Sequence, residues 1–450
     1  MTTPSSSARG SWATRAGFIL SAVGSAVGLG NMWRFAYKAS EGGGAAFVLV
    51  YLLIVALVGL PLMTSEFIVG RLSQESPARA IRRLGGNAWG PLGWMFILCG
   101  VGILAYYSVI AGWTMRYAID AIRNAIPSDT GAYFGEVSQG TDAAIYHLIF
   151  MTATIFVVAG GVKAGLERAN LVLMPMLFLI LVGLAVWAIT LPNGGGGYAY
   201  YLRPDPAKLF NRDILTAAAG QSFFSLSLGM GALMTYASYL RSKENLAREA
   251  TIVALSDFGV AFVSGLIVFP VIFNFGLLGQ VGESTVGALF ISLPAGFELL
   301  GRTGDYIDTA FFVMLLFAAL TSAISLLEVV VAALVDGLGW HRRPAAVGAG
   351  VTIAVLGLPA AFNTTFLGNL DALFGQFLLL VGGFFTAVLV GYKVLPQADA
   401  ELAQGLPNPD LRGAWATLVR YVAPVVLLVV LFFLAAPTWR AVLGLVTYAN

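Results

Sequence analysis

Gly24-Ser-Ala-Val-Gly28-Leu-Gly30-Asn31 and Ser225-Leu-Ser-Leu-Gly229-Met-Gly231 interrupt two apolar segments, each long enough to cross a bilayer. Glycine is costly inside a helix, and unpaired backbone groups are costly in hydrocarbon. Irregular backbone survives at that depth where it is buried in protein or lines a polar cavity. Interrupted spans in corresponding positions of two halves are the sequence mark of a transporter's binding site.

The surrounding chain fits an all-α polytopic membrane protein. Of its 450 residues, 58% are hydrophobic and 11% charged, roughly half the charge of a soluble domain. Mean hydropathy is +0.84. A net charge of +2 implies no nucleic-acid partner, and the lone cysteine, Cys99, excludes an internal disulfide framework. His147 and His341 form no metal-ligand spacing, and no catalytic constellation appears at membrane depth, so an enzyme is not expected. Residues 1–14 read as a cytoplasmic tail without a signal peptide's apolar core.

A spanning helix needs about 20 mostly apolar residues. Eleven stretches qualify: 15–37, 43–70, 89–124, 144–160, 165–190, 214–240, 248–276, 308–337, 344–362, 372–395 and 414–436. We number them spans 1 to 11. Residues 191–213 and 281–305 read as external loops, with a re-entrant helical hairpin over 289–300. Residues 396–413 read as a cytoplasmic loop and 437–450 as an external tail. The basic cluster Arg71, Arg79, Arg82 and Arg83, with Arg168, Arg342 and Arg343, puts the N-terminus inside. An odd number of spans puts the C-terminus outside. The expected location is a bacterial cytoplasmic membrane. Residues 15–190 and 214–395 then form two five-span halves of opposite topology, and each begins with an interrupted span. That is the inverted-repeat pattern of secondary transporters.

A broken helix frees carbonyls at the end of its first half and N–H groups at the start of its second. The carbonyl end suits a hard cation and the N–H end a carboxylate. Glycines in spans also serve close helix packing. Two breaks in equivalent places, with Asn31 and Ser225 beside them, favour a site. Thr321-Ser322 adds two hydroxyls mid-span, and Asp257 is ionisable within span 7, which is a functional pointer by default.

Trp12-Ala-Thr-Arg15, followed by Gly24-Ser-Ala-Val-Gly-Leu-Gly-Asn-Met-Trp-Arg-Phe35, closely resembles the neurotransmitter:sodium symporters. So do Gly59-Leu-Pro-Leu-Met63 with Glu66, Gln221-Ser-Phe-Phe-Ser-Leu-Ser-Leu-Gly-Met-Gly231, Leu320-Thr-Ser322 and Asn369-Leu-Asp371. The resemblance covers spans 1–10 and is strongest to the bacterial amino-acid branch, including its eleven-helix members. It implies two sodium ions. The first would be held by the Ala26 carbonyl, Asn31, Ser225, Asp257 and the substrate carboxylate. The second would be held by the carbonyls of Gly24, Val27 and Ala318 with the hydroxyls of Thr321 and Ser322. Asp257 replaces the family's usual asparagine, and Ala261 stands where some bacterial relatives carry a glutamate. Asp257 is therefore expected to supply the negative charge that chloride supplies in many animal relatives, making chloride unnecessary.

Gly28 stands where monoamine transporters carry an aspartate, so the expected substrate is an amino acid with its own carboxylate, to which Tyr107 donates. Its pocket would be formed by Ser25, Ala26, Gly28, Gly30, Ile103, Tyr107, Phe223, Phe224, Ser225, Ser227, Met230, Ser322, Ser325 and Leu326. This apolar lining favours bulky hydrophobic side chains, aromatic ahead of leucine. The resemblance also implies an outer gate of Arg34 and Asp371, and an inner gate of Arg9 and Asp336 with Trp12 and Tyr239. Glu66 is expected to be structural. Two alternatives stay open: a sodium symporter for another small zwitterion, and an amino-acid sensor or channel-like facilitator on the same fold. The partners expected are the bilayer and a small amino acid; the sequence leaves the oligomeric state open.

Overall fold

The computed structural model describes residues 10–209, 211–240, 244–277 and 288–449. Among them, nine unbroken helices are long and apolar enough to cross a membrane. They are Ala45–Ser73 (span 2), Asn87–Ile122 (span 3), Thr141–Ala159 (span 4), Val162–Ala188 (span 5), Leu246–Asn274 (span 7), Arg302–Leu338 (span 8), Arg342–Phe362 (span 9), Thr364–Lys393 (span 10) and Pro409–Val446 (span 11). Span 1 is the pair Arg15–Ala26 and Gly30–Glu41, bent by 56° between them. Span 6 divides into Arg212–Ser225 and Ala232–Ala237.

Each break has a local cause. In span 1, Val27 leaves the helical region at φ −75°, ψ 103°. The Asn31 side chain then accepts from the Gly28 N–H at 2.9 Å and caps the start of the second half. In span 6, Ser227, Gly229 and Gly231 all have positive φ. A side chain at Gly229 would collide with the Leu379 carbonyl of span 10. The freed backbone groups are met from other spans. Glu66 Oε1 accepts from Gly229 N (2.8 Å), Gln221 Nε2 donates to Gly30 O (2.8 Å), and Ser227 Oγ donates to Ser25 O (2.7 Å). Buried backbone polar groups must find such partners.

Spans 3 and 8 pack along each other, flanked by spans 4 and 9. Span 1 lies against spans 5, 7 and 8, and span 6 against span 2. The two breaks therefore meet at the middle of the protein, beside spans 3 and 8.

Three boundaries differ from the expectations. The last helix does not end at 436 but runs over Ala423–Ala449 with Pro437 inside it. The apolar run after the proline keeps it against span 10, where Gly444 abuts Asn369. Within 289–300, the described chain forms one short helical stretch through Glu298, not a hairpin. Aromatic packing holds it: Phe290 stacks on Phe134 (5.6 Å) and meets Trp113 edge-on (6.1 Å), while Tyr117 donates to its carbonyl (2.8 Å). The stretch 191–213 contains a helix, Gly195–Leu202, whose Tyr201 donates to Phe262 O of span 7 (3.1 Å).

Candidate ion and substrate site at the helix breaks

Asp257 is 0% exposed and is reached by three neutral donors from three spans. Asn31 Nδ2 donates to Oδ1 (2.6 Å), Ser225 Oγ lies 2.8 and 2.9 Å from the two carboxylate oxygens, and Tyr51 OH donates to Oδ2 (3.2 Å). Asn31 Nδ2 also donates to Ser225 Oγ (2.9 Å). No basic side chain pairs with this carboxylate among the described residues. A buried charge left uncompensated is strongly unfavourable. A small cation bound among Asp257, Ser225 and Asn31 would supply the compensation, and these oxygens suit a hard ion. Ala26, the fourth expected contributor, borders the same cavity.

A second group of oxygens sits on the other side of the span 1 break. Ser322 Oγ lies 3.3 Å from Gly24 O, 3.3 Å from Ser25 O and 3.4 Å from Val27 O. Thr321 Oγ1 lies 3.0 Å from Ala318 O. The five expected contributors Gly24, Val27, Ala318, Thr321 and Ser322 are thus neighbours. A Cβ at Gly24 would run into the Asn170 side-chain oxygen from span 5 and come within 3.1 Å of Thr321 Cβ.

Between the two oxygen groups lies a small cavity of about 20 Å³. Gly28, Gly30, Asn31 and Ser225 form its polar end, with Ser25, Ser227 and Ser322 alongside. Ile103, Tyr107, Phe224, Met230 and Leu326 form its apolar end. A Cβ at Gly28 would lie 2.5 Å from Ser322 Oγ and 3.1 Å from Tyr107 OH, so glycine is what keeps this end open. Tyr107 OH accepts from Leu29 N (3.3 Å).

Two expected lining residues are not in the wall. Phe223 points away, with its ring in the space left by Gly383 of span 10. Neighbouring residues on a helix face different ways, and Phe224 takes the inner position. Ser325 stands one layer back, accepting from Ser25 Oγ (2.9 Å) and donating to Ser322 O (2.8 Å).

Both ends of the site are closed. On the face opposite the N-terminus, Arg34 Nη1 is 3.7 Å from Asp371 Oδ1 and the guanidinium lies 4.7 Å over the Phe224 ring. Tyr106 OH and Gln376 Nε2 hold Asp371 at 2.8 and 2.9 Å. On the N-terminal face, Trp12 Nε1 donates to Tyr236 O (2.9 Å) and its ring meets Tyr239 at 6.3 Å. Asp336 Oδ2 accepts from Ser76 N (2.6 Å). Arg9, its expected partner, lies outside the described residues.

The closure on that face has members the sequence reading did not select. Glu328, 0% exposed, takes both Arg342 Nη1 (3.0 Å) and Nη2 (2.5 Å) and also Tyr239 OH (2.6 Å). Glu328 stands in an apolar run, so the rule that flags Asp257 flags it too. Glu167 accepts from Ala13 N, Thr14 N and Thr14 Oγ1, tying the start of span 1 to span 5. Tyr51 carries no sequence signal, because its partner lies some two hundred positions away.

Comparison with known proteins gives the family and the fold. The family model described as the sodium:neurotransmitter symporter family matches residues 9–134 and 132–441. The sodium-dependent transporter YhdH of Bacillus subtilis, described as uncharacterized, is 33% identical over 441 residues, covering 93% of this chain and 96% of its own. The sodium- and chloride-dependent taurine transporter of Bos taurus is 27% identical over 395 residues, covering 74% of this chain and 63% of its own. The crystal structure of MhsT in complex with L-phenylalanine superposes with a TM-score of 0.88 at 37% identity, covering 95% of this chain and all of that one. The chain belongs to the sodium:neurotransmitter symporter family.

Proposed function

We propose that this protein couples sodium entry to the import of hydrophobic L-amino acids, aromatic ones ahead of leucine, by alternating access across a bacterial cytoplasmic membrane. The observation that carries this reading is the two-ended cavity at the breaks. Its polar end is formed by Gly28, Gly30, Asn31 and Ser225, with the carboxylate of Asp257 directly behind Asn31 and Ser225, and its apolar end holds Ile103, Phe224, Met230 and Leu326. This lining suits a zwitterion with its charges at the break and its side chain at the apolar end, the cavity widening as the gates open to admit it. A charged side chain there would lose its hydration without a partner. The structural neighbour MhsT was crystallised with L-phenylalanine, in keeping with an aromatic substrate.

Two sodium ions divide the oxygen groups. One binds at Ala26 O, Asn31, Ser225 and Asp257 with the substrate carboxylate. The other binds at Gly24, Val27, Ala318, Thr321 and Ser322. Each sodium crossing down the membrane potential gains about 2.3 kcal/mol per 100 mV, while a tenfold uphill step for a zwitterion costs about 1.4 kcal/mol. Asp257 provides the negative charge of the first site, so chloride is not needed. The basic residues place the N-terminal face in the cytoplasm and the C-terminus outside. Arg34 and Asp371 then form the outer gate, and Trp12, Tyr239, Asp336 and Arg9 belong to the inner one. Spans 1, 2, 6 and 7 move against spans 3, 4, 8 and 9.

Uptake of radiolabelled tryptophan and leucine into proteoliposomes tests the reading, with an inward sodium gradient or potassium in its place. Concentrative, sodium-dependent uptake that survives replacement of chloride by gluconate is expected. Sodium-independent equilibration would replace the symporter with a facilitator, and loss of uptake in gluconate would overturn the role given to Asp257.

A further inference from the structure

A groove of about 780 Å³ lies on the outer surface where span 4 turns into span 5. Small residues make its floor: Ala159, Gly160, Ala164, Gly165 and Ala169 leave space that larger side chains would fill. Gly165 cannot carry a side chain, because a Cβ there would strike the Val157 carbonyl. The walls are apolar, and two of them face outward into the region spanned by hydrocarbon: Phe156 is 81% and Val172 54% exposed. At one end of the groove stand two arginines, Arg168 from the second turn of span 5 and Arg343 from the first turn of span 9. Both are exposed, and neither makes an ion pair among the described residues.

The charges around that end are one-sided. Lys163 and His341 are exposed nearby in the chain. The adjoining acids are already engaged: Glu167 by Ala13 and Thr14, and Glu328 by Arg342 and Tyr239. An apolar channel open to the bilayer, ending at two free guanidinium groups, matches a molecule with an acyl chain and a phosphate. Guanidinium groups bind phosphate oxygens in pairs of parallel hydrogen bonds. Basic pockets between spans are a known way of holding anionic headgroups.

We propose that this groove binds one anionic phospholipid of the membrane, with an acyl chain along the small-residue floor and the headgroup phosphate between Arg168 and Arg343. The lipid braces the span 4–span 5 corner. That corner carries Glu167, which holds the start of span 1, and its wall includes Leu320, next to Thr321. The proposal uses the fold and charges alone, so it stands or falls apart from the substrate reading.

Purified full-length protein in neutral detergent is titrated with phosphatidylglycerol or with phosphatidylcholine of the same chains. Thermal unfolding and lipids retained in native mass spectra are then recorded. Phosphatidylglycerol is expected to raise the melting temperature more than phosphatidylcholine and to remain as a bound adduct. The double variant Arg168→Gln, Arg343→Gln should lose both the extra shift and the adduct while melting normally in phosphatidylcholine. Arg82→Gln, an exposed arginine away from the groove, should keep both. Ala169→Phe, which fills the floor, should lose the adduct with both arginines present. Equal shifts from the two lipids, or an adduct that survives the double variant, would overturn the proposal. So would glycerol phosphate reproducing the full shift without chains, or a dimer across this face that phosphatidylglycerol fails to displace.

Discussion

Asp257 concentrates the physical question of the site. Three neutral donors hold its carboxylate, which is fully buried. Such a group is stable when a cation joins it and costly when none does. Asp257→Asn keeps the shape and removes the charge. We expect the sodium concentration for half-maximal uptake to rise about tenfold or more, which is ~1.4 kcal/mol of ion binding; an unchanged sodium curve would take Asp257 out of the ion site. Gly28 is a second decisive position. A methyl group there meets Ser322 Oγ and Tyr107 OH within the cavity's polar end. Gly28→Ala should weaken amino-acid binding by roughly tenfold or more, since crowding a packed site costs about 1–3 kcal/mol. Scintillation proximity binding at saturating sodium reads this directly, and wild-type affinity would mean the substrate lies elsewhere. Both residues are visible in the sequence, one as a charge in an apolar run and one as a glycine in a break. Tyr51 is not, because a tyrosine in Tyr51-Leu-Leu-Ile looks like any aromatic of a span until Asp257 is placed beside it.

The break in span 6 depends on span 2. Gly229 must keep positive φ against the Leu379 backbone, and its N–H is met by Glu66 Oε1. Leaving that N–H unsatisfied in the interior costs about 1–3 kcal/mol. Glu66→Leu should therefore lower thermal stability markedly, whereas Glu66→Gln, whose amide oxygen can still accept, should fall much less. Equal losses in the two variants would mean that the charge of Glu66, and not its acceptor, is what matters. The breaks themselves are legible because clustered glycines and serines have no other reason to sit mid-span. Element ends are less so. The last apolar stretch reads as ending at 436, yet span 11 continues past Pro437 because the following residues stay apolar and Gly444 fits against Asn369. The stretch near Phe290 reads as a polar loop with a hairpin, and its true shape depends on an aromatic socket built by Trp113, Tyr117 and Phe134 from distant parts of the chain.

Closure of the two faces is built unequally, and that asymmetry predicts how the protein responds when one face is loosened. The Arg34–Asp371 pair is separated by 3.7 Å and shares its charges with Phe224, Tyr106 and Gln376. On the N-terminal face, the fully buried Glu328 receives Arg342, itself partly exposed, through two hydrogen bonds and Tyr239 through a third. Removing one partner of a buried ion pair costs about 3–5 kcal/mol, because the remaining charge is stranded. A conformation that exposes that charge to water avoids the cost, so either single change favours opening of the N-terminal face. Arg342→Gln should raise hydrogen exchange across residues 12–26 and 232–240 roughly tenfold or more, while leaving residues 364–378 unchanged or slower. On the function proposed above, saturating sodium with substrate should reverse part of the rise, because ligands held between spans 1 and 6 and spans 3 and 8 would favour closure. Glu328→Gln should move exchange in the same direction, since it leaves Arg342 without its carboxylate. Faster exchange on both faces alike would show general loosening of the fold instead of a gate, and no change on the N-terminal face would remove the Glu328–Arg342 pair from the closure.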